Sequence, residues 1–185
     1  MVFGTRRNGE TLESATYKAV QILECGGVVA VPTDTVYGLV TTIPNAKKIY
    51  ALKRRNPLKP FVLCSEKTIE SILRILKNLL PGPFTLIFKR STLLPKCFNP
   101  DHDTVGIRIP AHSFVLSLLN RLGSPLAQSS ANISGATNSP ICIEDFGDLW
   151  SQVDLVNEFG EISREGSTVI DLSVRGTYSI VRDGW

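Results

Sequence analysis

The chain has 185 residues, of which 43% are hydrophobic and 20% are charged, and its formal net charge is +3. This length supports one domain with a substantial core, and this composition disfavours intrinsic disorder. The mild positive charge permits an anionic ligand but is weaker than that of a dedicated nucleic-acid-binding protein, and no apolar run approaches the roughly 18 residues that a membrane-spanning helix needs.

The first half of the sequence alternates helices with short buried strands. Apolar residues at helical spacing fill the first helix, and Gly26 and Gly27 follow it as a left-handed stop. Asn45 is expected to cap the second helix. The predicted elements, in chain order, are a helix within 11–25, a strand over 28–31, a helix over 45–54, a strand over 61–64 and an amphipathic helix over 68–80.

The second half contains more strands than helices. Its predicted elements are strands over 84–89 and 104–110, a helix over 113–122, a strand over 125–128, a short helix near 143–150, and strands over 153–156, 167–172 and 178–182. The segment 129–140 is so rich in turn-forming residues that we expect a loop there. Strands separated by helices, with more strands late in the chain, predict one α/β domain on a mixed, twisted β-sheet.

The cysteine spacing predicts free thiols. The four cysteines lie far apart and are not near either histidine, so the paired spacing of a zinc site is missing. Residues 1–14 lack the apolar core of a secretion signal, which indicates a cytoplasmic protein with reduced cysteines, while two early arginines leave a mitochondrial pool open. The cysteines are Cys25, Cys64, Cys97 and Cys142.

Two polar segments follow predicted secondary-structure elements. Residues 52–60 concentrate lysine and arginine, which fits a phosphate clamp but equally a basic helix end that complements the helix dipole. Residues 129–134 offer hydroxyl and amide groups, which fit a ligand site or a serine-rich turn. Arg108, inside an otherwise apolar strand, needs a partner from the fold or from an anionic ligand.

Seven segments together resemble the YrdC-like domain, which is found in L-threonylcarbamoyladenylate synthases. They occur in that family's order from about Ala19 to Trp185, so the resemblance identifies residues 1–185 as its single-domain form. It implies an open, twisted, mixed β-sheet whose helices surround a deep, positively charged cavity. The segments are GGVVAVPTDTVYGL, LKRRNPLKPF, LPGPFTLIF, TVGIRIPAH, SSANISG, GSTVIDL and IVRDGW.

The resemblance also implies an activity. Members of the family condense L-threonine, bicarbonate and ATP into threonylcarbamoyl-AMP and release pyrophosphate, with Mg²⁺ carried by the ATP. A downstream transferase then modifies tRNA beside the anticodon, so tRNA is an indirect partner and no membrane is involved. Such chemistry needs no protein nucleophile, because it depends on holding anionic groups together and neutralising phosphate charge.

The resemblance assigns three sets of site residues. The expected catalytic residues match the signature Lys-x-Arg and Ser-x-Asn at Lys53, Arg55, Ser130 and Asn132. The expected ATP contacts are Lys59, Thr104, Ser130, Ser139 and Arg182. The expected threonine contacts are Thr35, Cys64, Arg108 and Ser167. The turn that contains Thr35 would stand at the mouth of the cavity, and Cys64 would line it.

Two other functions compete with this interpretation. A non-catalytic RNA-binding module would interleave aromatic side chains with its basic residues for base stacking, and none occurs between Lys53 and Lys59. Alternatively, the same fold could transfer a carbamoyl group to another acceptor, as in larger multidomain relatives that carry extra zinc-finger-like and acylphosphatase segments.

Overall fold

The structure, a computed structural model, describes residues 2–5, 11–54, 56, 59–64, 76–136, 138–162 and 165–184. These residues form strands β1 (Val2–Thr5), β2 (Val29–Val31), β3 (Gly38–Thr42), β4 (Val62–Cys64), β5 (Phe84–Lys89), β6 (Thr104–Arg108), β7 (Leu126–Ser130), β8 (Leu155–Glu158), β9 (Thr168–Asp171) and β10 (Ser179–Arg182). The helices are α1 (Leu12–Glu24), α2 (Lys47–Lys53) and α3 (Ser113–Leu122), with 3-10 helices at Ile43–Asn45 and Ile143–Gln152.

All ten strands belong to one sheet, in the order β1-β8-β2-β3-β7-β4-β6-β5-β9-β10. The pairs β1–β8, β2–β8, β4–β6 and β5–β9 are parallel, and the remaining neighbours are antiparallel. The mixture of parallel and antiparallel pairs confirms the predicted single-domain α/β fold on a mixed sheet.

The sheet is covered on both faces. Along β2 the side chains alternate, so that Ala30 joins one apolar cluster while Val29 and Val31 join the other. Helices α1 and α3 cover the second face, where Leu23 and Leu118 are completely buried. Burial of a leucine side chain of this kind contributes about 1.5–3 kcal/mol, so this packing is a principal source of the domain's stability.

The first helix confirms its predicted left-handed stop at Gly26 but not at Gly27, and a threonine that the sequence analysis did not single out caps its other end. The Thr11 hydroxyl caps α1 by accepting a hydrogen bond from the Ser14 backbone N–H at 3.1 Å. Gly26 follows the helix with φ of 79°, a left-handed conformation that glycine adopts without the steric cost of a Cβ atom.

The second helix is shorter than predicted, and the prediction that Asn45 caps it is wrong. Pro44 lies in the 3-10 helix Ile43–Asn45, and α2 begins only at Lys47. The Asn45 side chain instead donates a hydrogen bond to Thr42 Oγ1 at 2.9 Å. The helix ends at Lys53, where the exposed Arg54 has φ of 48°.

The loop that was predicted over 129–140 begins two residues later in the structure than predicted. Ser129 and Ser130 extend β7, where they pair with Leu39 and Gly38 of β3, a strand that the sequence pattern did not predict. Cross-strand pairing therefore overrides the turn preference of serine here. The short helix near 143–150 is the 3-10 helix Ile143–Gln152, kinked at Phe146.

Most of the predicted helix over 68–80 lies outside the described residues, and residues 77–80 form a turn. Within the described part of the chain, no helix combines the length and the apolar character needed to cross a membrane.

Candidate active site

A cavity of about 540 Å³ lies over the middle of the sheet. Strands β3, β4, β5, β6, β7 and β9 contribute to its walls, together with residues 36–37, 60–61, 132, 136, 138–140, 166–167 and 182–183. Seven of the twelve predicted site residues line this cavity, although they come from distant parts of the sequence. They are Thr104, Arg108, Ser130, Asn132, Ser139, Ser167 and Arg182.

Two strand glycines keep the cavity open. A Cβ atom on Gly38 would come within 3.1 Å of Gln128 Nε2, and one on Gly106 within 3.3 Å of Thr85 Cγ2. Both glycines line the cavity. A side chain at either position would therefore crowd the wall, which is a recognised reason for glycine inside a strand.

Lys53 is directed into the protein and holds the polar loop after β7. Its side chain is 1% exposed, and Nζ donates hydrogen bonds to Asn132 O at 2.5 Å and Asn132 Oδ1 at 3.1 Å. Nζ also contacts Ser130 Oγ at 3.3 Å and the Ser130 carbonyl oxygen. The three ammonium protons thus face four oxygens of this loop. Lys53 is not among the lining residues, and its part in a phosphate clamp stays a prediction.

The side chains of Ser130 and Asn132 are joined as well. Ser130 Oγ donates to Asn132 Oδ1 at 2.6 Å, and the Ser134 backbone N–H donates to the carbonyl oxygen of Lys53 at 3.0 Å. Three parts of the Lys-x-Arg and Ser-x-Asn signature therefore form one network. The fourth, Arg55, lies outside the described residues.

Arg108 is the buried cation at the end of β6, and it is 6% exposed. Its Nη2 donates to Asp34 Oδ1 at 2.6 Å, to Thr35 Oγ1 at 2.6 Å and to Thr33 Oγ1 at 3.3 Å. All side-chain hydrogen bonds of Arg108 within the described residues come from Nη2, and Nε is buried without a partner there. Arg108 therefore has a protein partner, as its place in an apolar strand required, yet retains donors for a ligand.

Thr35 is not at the mouth of the cavity, so that prediction is wrong. Thr35 is completely buried and does not line the cavity. Its hydroxyl instead accepts a hydrogen bond from Arg108. The Thr35 hydroxyl also lies 3.3 Å from Thr33 Oγ1. The turn after β2 thus forms a support behind Arg108.

Arg182 and Ser167 form a second polar cluster in the wall of the same cavity. Arg182 donates to the Ser167 carbonyl oxygen from Nη2 at 2.6 Å and from Nε at 3.1 Å, and to Ser167 Oγ at 3.0 Å. Ser167 Oγ lies 2.8 Å from Thr85 Oγ1. Although Arg182 as a residue is exposed, partial desolvation and the positive charge of Arg108 lower its guanidinium pKa. Two cations therefore face one cavity, which favours an anionic ligand.

Cys64 and Lys59 lie outside the cavity wall. Cys64 is completely buried in an apolar cluster, so the prediction that it lines the cavity is wrong. Burial raises the pKa of its thiol to about 12, although Arg108 opposes the shift. Lys59 is exposed, and its carbonyl oxygen accepts a hydrogen bond from the Tyr50 hydroxyl at 3.0 Å.

Three polar residues of the site were missed by the sequence interpretation. Thr85 and Gln128 line the cavity, and Asp34 pairs with Arg108. Gln128 is 5% exposed, and its Oε1 has no hydrogen-bond partner among the described residues. A glutamine or threonine within an otherwise apolar strand was the available signal, because buried polar groups normally serve a partner.

All four cysteines are free, as predicted. Their different surroundings predict the order in which they react. At pH 8 we expect the exposed Cys25 and Cys97 to react first with a thiol reagent. Cys142 should react slowly, because desolvation and its hydrogen bond to Asp145 raise its pKa to about 11, leaving about one thiol in a thousand ionised. Cys64 should react only after unfolding. Denatured protein should yield four thiols; rapid labelling of Cys64 in folded protein would contradict its burial.

Comparisons with known proteins show the family of the chain. The family model of Sua5, YciO and YrdC, described as telomere recombination, matches residues 21–184. Threonylcarbamoyl-AMP synthase from Mus musculus is 41% identical over 197 residues, covering 96% of this chain and 69% of the relative. The Homo sapiens protein of the same name is 42% identical over 185 residues, covering 90% of this chain and 66% of the relative.

Two solved structures are similar in fold. Sua5 of P. abyssi complexed with L-threonine has a TM-score of 0.83 and 28% identity, covering 99% of this chain and 57% of that one. E. coli YciO has a TM-score of 0.83 and 26% identity, covering 99% of this chain and 95% of that one. The chain therefore spans about two thirds of the mammalian relatives and somewhat over half of that Sua5.

Proposed function

The chain belongs to the family of Sua5, YciO and YrdC proteins, and we propose that it is a threonylcarbamoyl-AMP synthase that uses L-threonine, bicarbonate and ATP and releases pyrophosphate. The observation that carries this proposal is the cavity, which two arginines and several hydroxyl groups line at positions that match the family's motifs. The names of the mammalian relatives, at 41% and 42% identity, support the same activity.

The proposed reaction needs charge and position but no protein nucleophile. The threonine amine attacks the carbon of bicarbonate, and loss of water leaves a carbamate on the nitrogen. A carbamate oxygen then attacks the α-phosphorus of ATP. The bond from that phosphorus to the bridging oxygen breaks, and pyrophosphate leaves with the electron pair. Negative charge therefore accumulates where three anionic groups meet, and fixed cations and hydrogen-bond donors lower the barrier.

We assign the amino-acid end of the cavity to Arg108 and Ser167. Arg108 has donors that no described residue occupies, and a guanidinium binds a carboxylate well because its planar fork matches the two oxygens. Ser167 is 4% exposed and lies between Arg182 and Thr85, so its hydroxyl is held in one orientation. Thr35 and Cys64 would act on threonine only through Arg108.

We assign the ATP end to the residues around Ser130 and Arg182. Thr104, Ser139 and Asn132 line the same cavity and can donate hydrogen bonds to phosphate or ribose oxygens. Lys59 is exposed outside the wall, so its predicted ATP contact would require the nucleotide to extend past the rim. Arg182 adds a planar cation beside the proposed phosphate position.

Mg²⁺ is expected to enter with ATP. Among the residues that the structure describes, no three side chains of histidine, cysteine, aspartate or glutamate lie together as a metal site. A nucleotide-bound ion needs few protein ligands, because Mg²⁺ keeps several waters and phosphate oxygens in its shell. When bound, the ion would neutralise part of the triphosphate charge.

The product would be used outside this protein. A mixed anhydride of a carbamate and AMP is a reactive acyl donor, so we propose that a separate transferase passes the threonylcarbamoyl group to tRNA. The four free thiols favour a reducing compartment, which supports the proposed cytoplasmic location. Targeting of a second pool to mitochondria would be tested by fractionation.

Substrate dependence tests the proposed function. We expect pyrophosphate release from ATP to require both L-threonine and bicarbonate. Serine should work less well by about 10- to 200-fold, because loss of one methyl group removes only a small part of the binding energy. Pyrophosphate release would be measured with each component omitted in turn. Turnover that is equal with and without threonine would reject the synthase, and RNA binding without turnover would favour the binding module.

A further inference from the structure

Asp34 stands behind the proposed amino-acid site without lining it. The residue lies in the turn after β2, and its side chain is 13% exposed. Its Oδ1 lies 2.6 Å from Arg108 Nη2, so a carboxylate and a guanidinium pair in a place that is largely shielded from water. A buried arginine is costly unless a partner of opposite charge is fixed beside it, and Asp34 supplies that charge.

The second oxygen of Asp34 has a different donor. Asp34 Oδ2 accepts a hydrogen bond from the Ala111 backbone N–H at 3.0 Å, three residues after the end of β6. The carboxylate thus ties the turn after β2 to the strand that carries Arg108 and to the chain beyond it. In an asparagine side chain an NH2 group, which donates and does not accept, replaces one of these two oxygens, so either Arg108 or Ala111 would lose its acceptor.

The contacts also restrict which part of Arg108 is available. Asp34, Thr33 and Thr35 all accept from Nη2, while Nε and Nη1 have no acceptor among the described residues. Because the guanidinium is planar, fixing Nη2 also fixes the orientation of the other two nitrogens. The side of Arg108 that is left to a ligand is therefore set by the turn.

We propose that Asp34 is a positioning residue for the amino-acid substrate, acting through Arg108. This inference rests on the proposed function, because it assumes that Arg108 binds the threonine carboxylate. Asp34 itself would not touch threonine or ATP. Its loss should weaken the affinity for threonine while leaving the affinity for ATP nearly unchanged, which distinguishes a positioning role from a general role in stability.

The test compares Asp34→Asn with a matched variant, Asp154→Asn. Asp154 also accepts a hydrogen bond from a backbone N–H, that of Val28 at 2.8 Å, but it is not paired with Arg108, whose side-chain partners are Thr33, Asp34 and Thr35. Calorimetric titration would give the Kd for L-threonine and, separately, for ATP. We expect Asp34→Asn to raise the threonine Kd about ten- to a hundredfold and to change the ATP Kd less than about threefold. Asp154→Asn should change neither Kd beyond that margin.

Two further variants test whether misfolding explains the loss and whether Asp34 acts through Arg108. Asp34→Glu keeps the charge and both oxygens but moves them by one methylene, so it should fold and still weaken threonine binding several-fold. In an Arg108→Gln background, Asp34→Asn should cause no additional loss of threonine affinity, because its effect passes through the arginine.

The outcomes separate the inference from the proposed function. Suppose that the wild-type protein binds threonine and that folded Asp34→Asn and Asp34→Glu bind it with the same affinity. That result would overturn the positioning role of Asp34 but would leave the proposed synthase function standing. An equal loss of threonine and ATP affinity in Asp34→Asn would also overturn it. Absence of threonine binding to the wild-type protein would overturn both.

Discussion

Replacement of Lys53 by methionine is expected to lower kcat/KM at least about a hundredfold and to destabilise the protein by a few kcal/mol. The buried ammonium group holds the Asn132 carbonyl and side-chain oxygens at 2.5 and 3.1 Å and contacts the Ser130 oxygens as well. Methionine fills a similar volume but donates no hydrogen bond. Each buried acceptor left without a partner costs about 1–3 kcal/mol, and a shift of the loop by about 1 Å can cost a hundredfold in rate.

Lys48→Met is the matched control for Lys53→Met. Lys48 lies on the same helix and donates from Nζ to the Gly26 carbonyl oxygen at 2.6 Å, but it is exposed and is not among the residues that line the cavity. We expect activity within about twofold of the wild type, since exposed interactions contribute about 0–1 kcal/mol. Pyrophosphate release and melting temperature would be measured for both variants. Similar activity in the two would contradict the loop-holding role of Lys53.

Replacement of Arg182 by lysine is expected to lower kcat/KM about ten- to a hundredfold, although the positive charge is kept. Arg182 uses two nitrogens of its planar fork on the Ser167 carbonyl oxygen and a further contact on Ser167 Oγ. A lysine ammonium group cannot reproduce this geometry, so Ser167 would lose its fixed orientation and the proposed phosphate contact would move. Charge-assisted hydrogen bonds of this kind contribute about 1.5–3 kcal/mol each.

Arg175→Lys is the control for Arg182→Lys. Arg175 is exposed in the connection between β9 and β10 and does not line the cavity. The same chemical change there should leave the kinetics of pyrophosphate release unaltered, with KM values for ATP and threonine determined separately. An equal loss in both variants, or no loss in Arg182→Lys, would contradict the placement of Arg182 in the site.

The sequence predicted the type of fold well because its main signals are local. Apolar spacing located α1, and Gly26 marked its end. Strand β3 escaped prediction because a glycine and two threonines among its five residues give no strong strand pattern. It forms because β2 and β7 flank it in the sheet, and such pairing is invisible in a single segment.

The sequence predicted which residues gather at the site better than it predicted where their side chains lie. Motif matches indicated which residues gather, and Arg108, Ser167 and Arg182 do line one cavity. Motif matches could not indicate whether a side chain lines the cavity or is buried behind its wall. Lys53 and Thr35 are buried behind it, because their hydrogen-bond partners belong to other segments. Such orientation follows from the register and packing of the assembled sheet.

Incorporation of labelled bicarbonate into an adenylate would show directly whether the protein makes threonylcarbamoyl-AMP. The purified chain would be incubated with ATP, L-threonine and ¹³C-bicarbonate, and the adenylate products would be analysed by mass spectrometry. We expect threonylcarbamoyl-AMP that is heavier by one mass unit than the product made with unlabelled bicarbonate, and none when threonine is omitted. An adenylate without the label, or hydrolysis of ATP with no threonine-containing product, would contradict the proposed function.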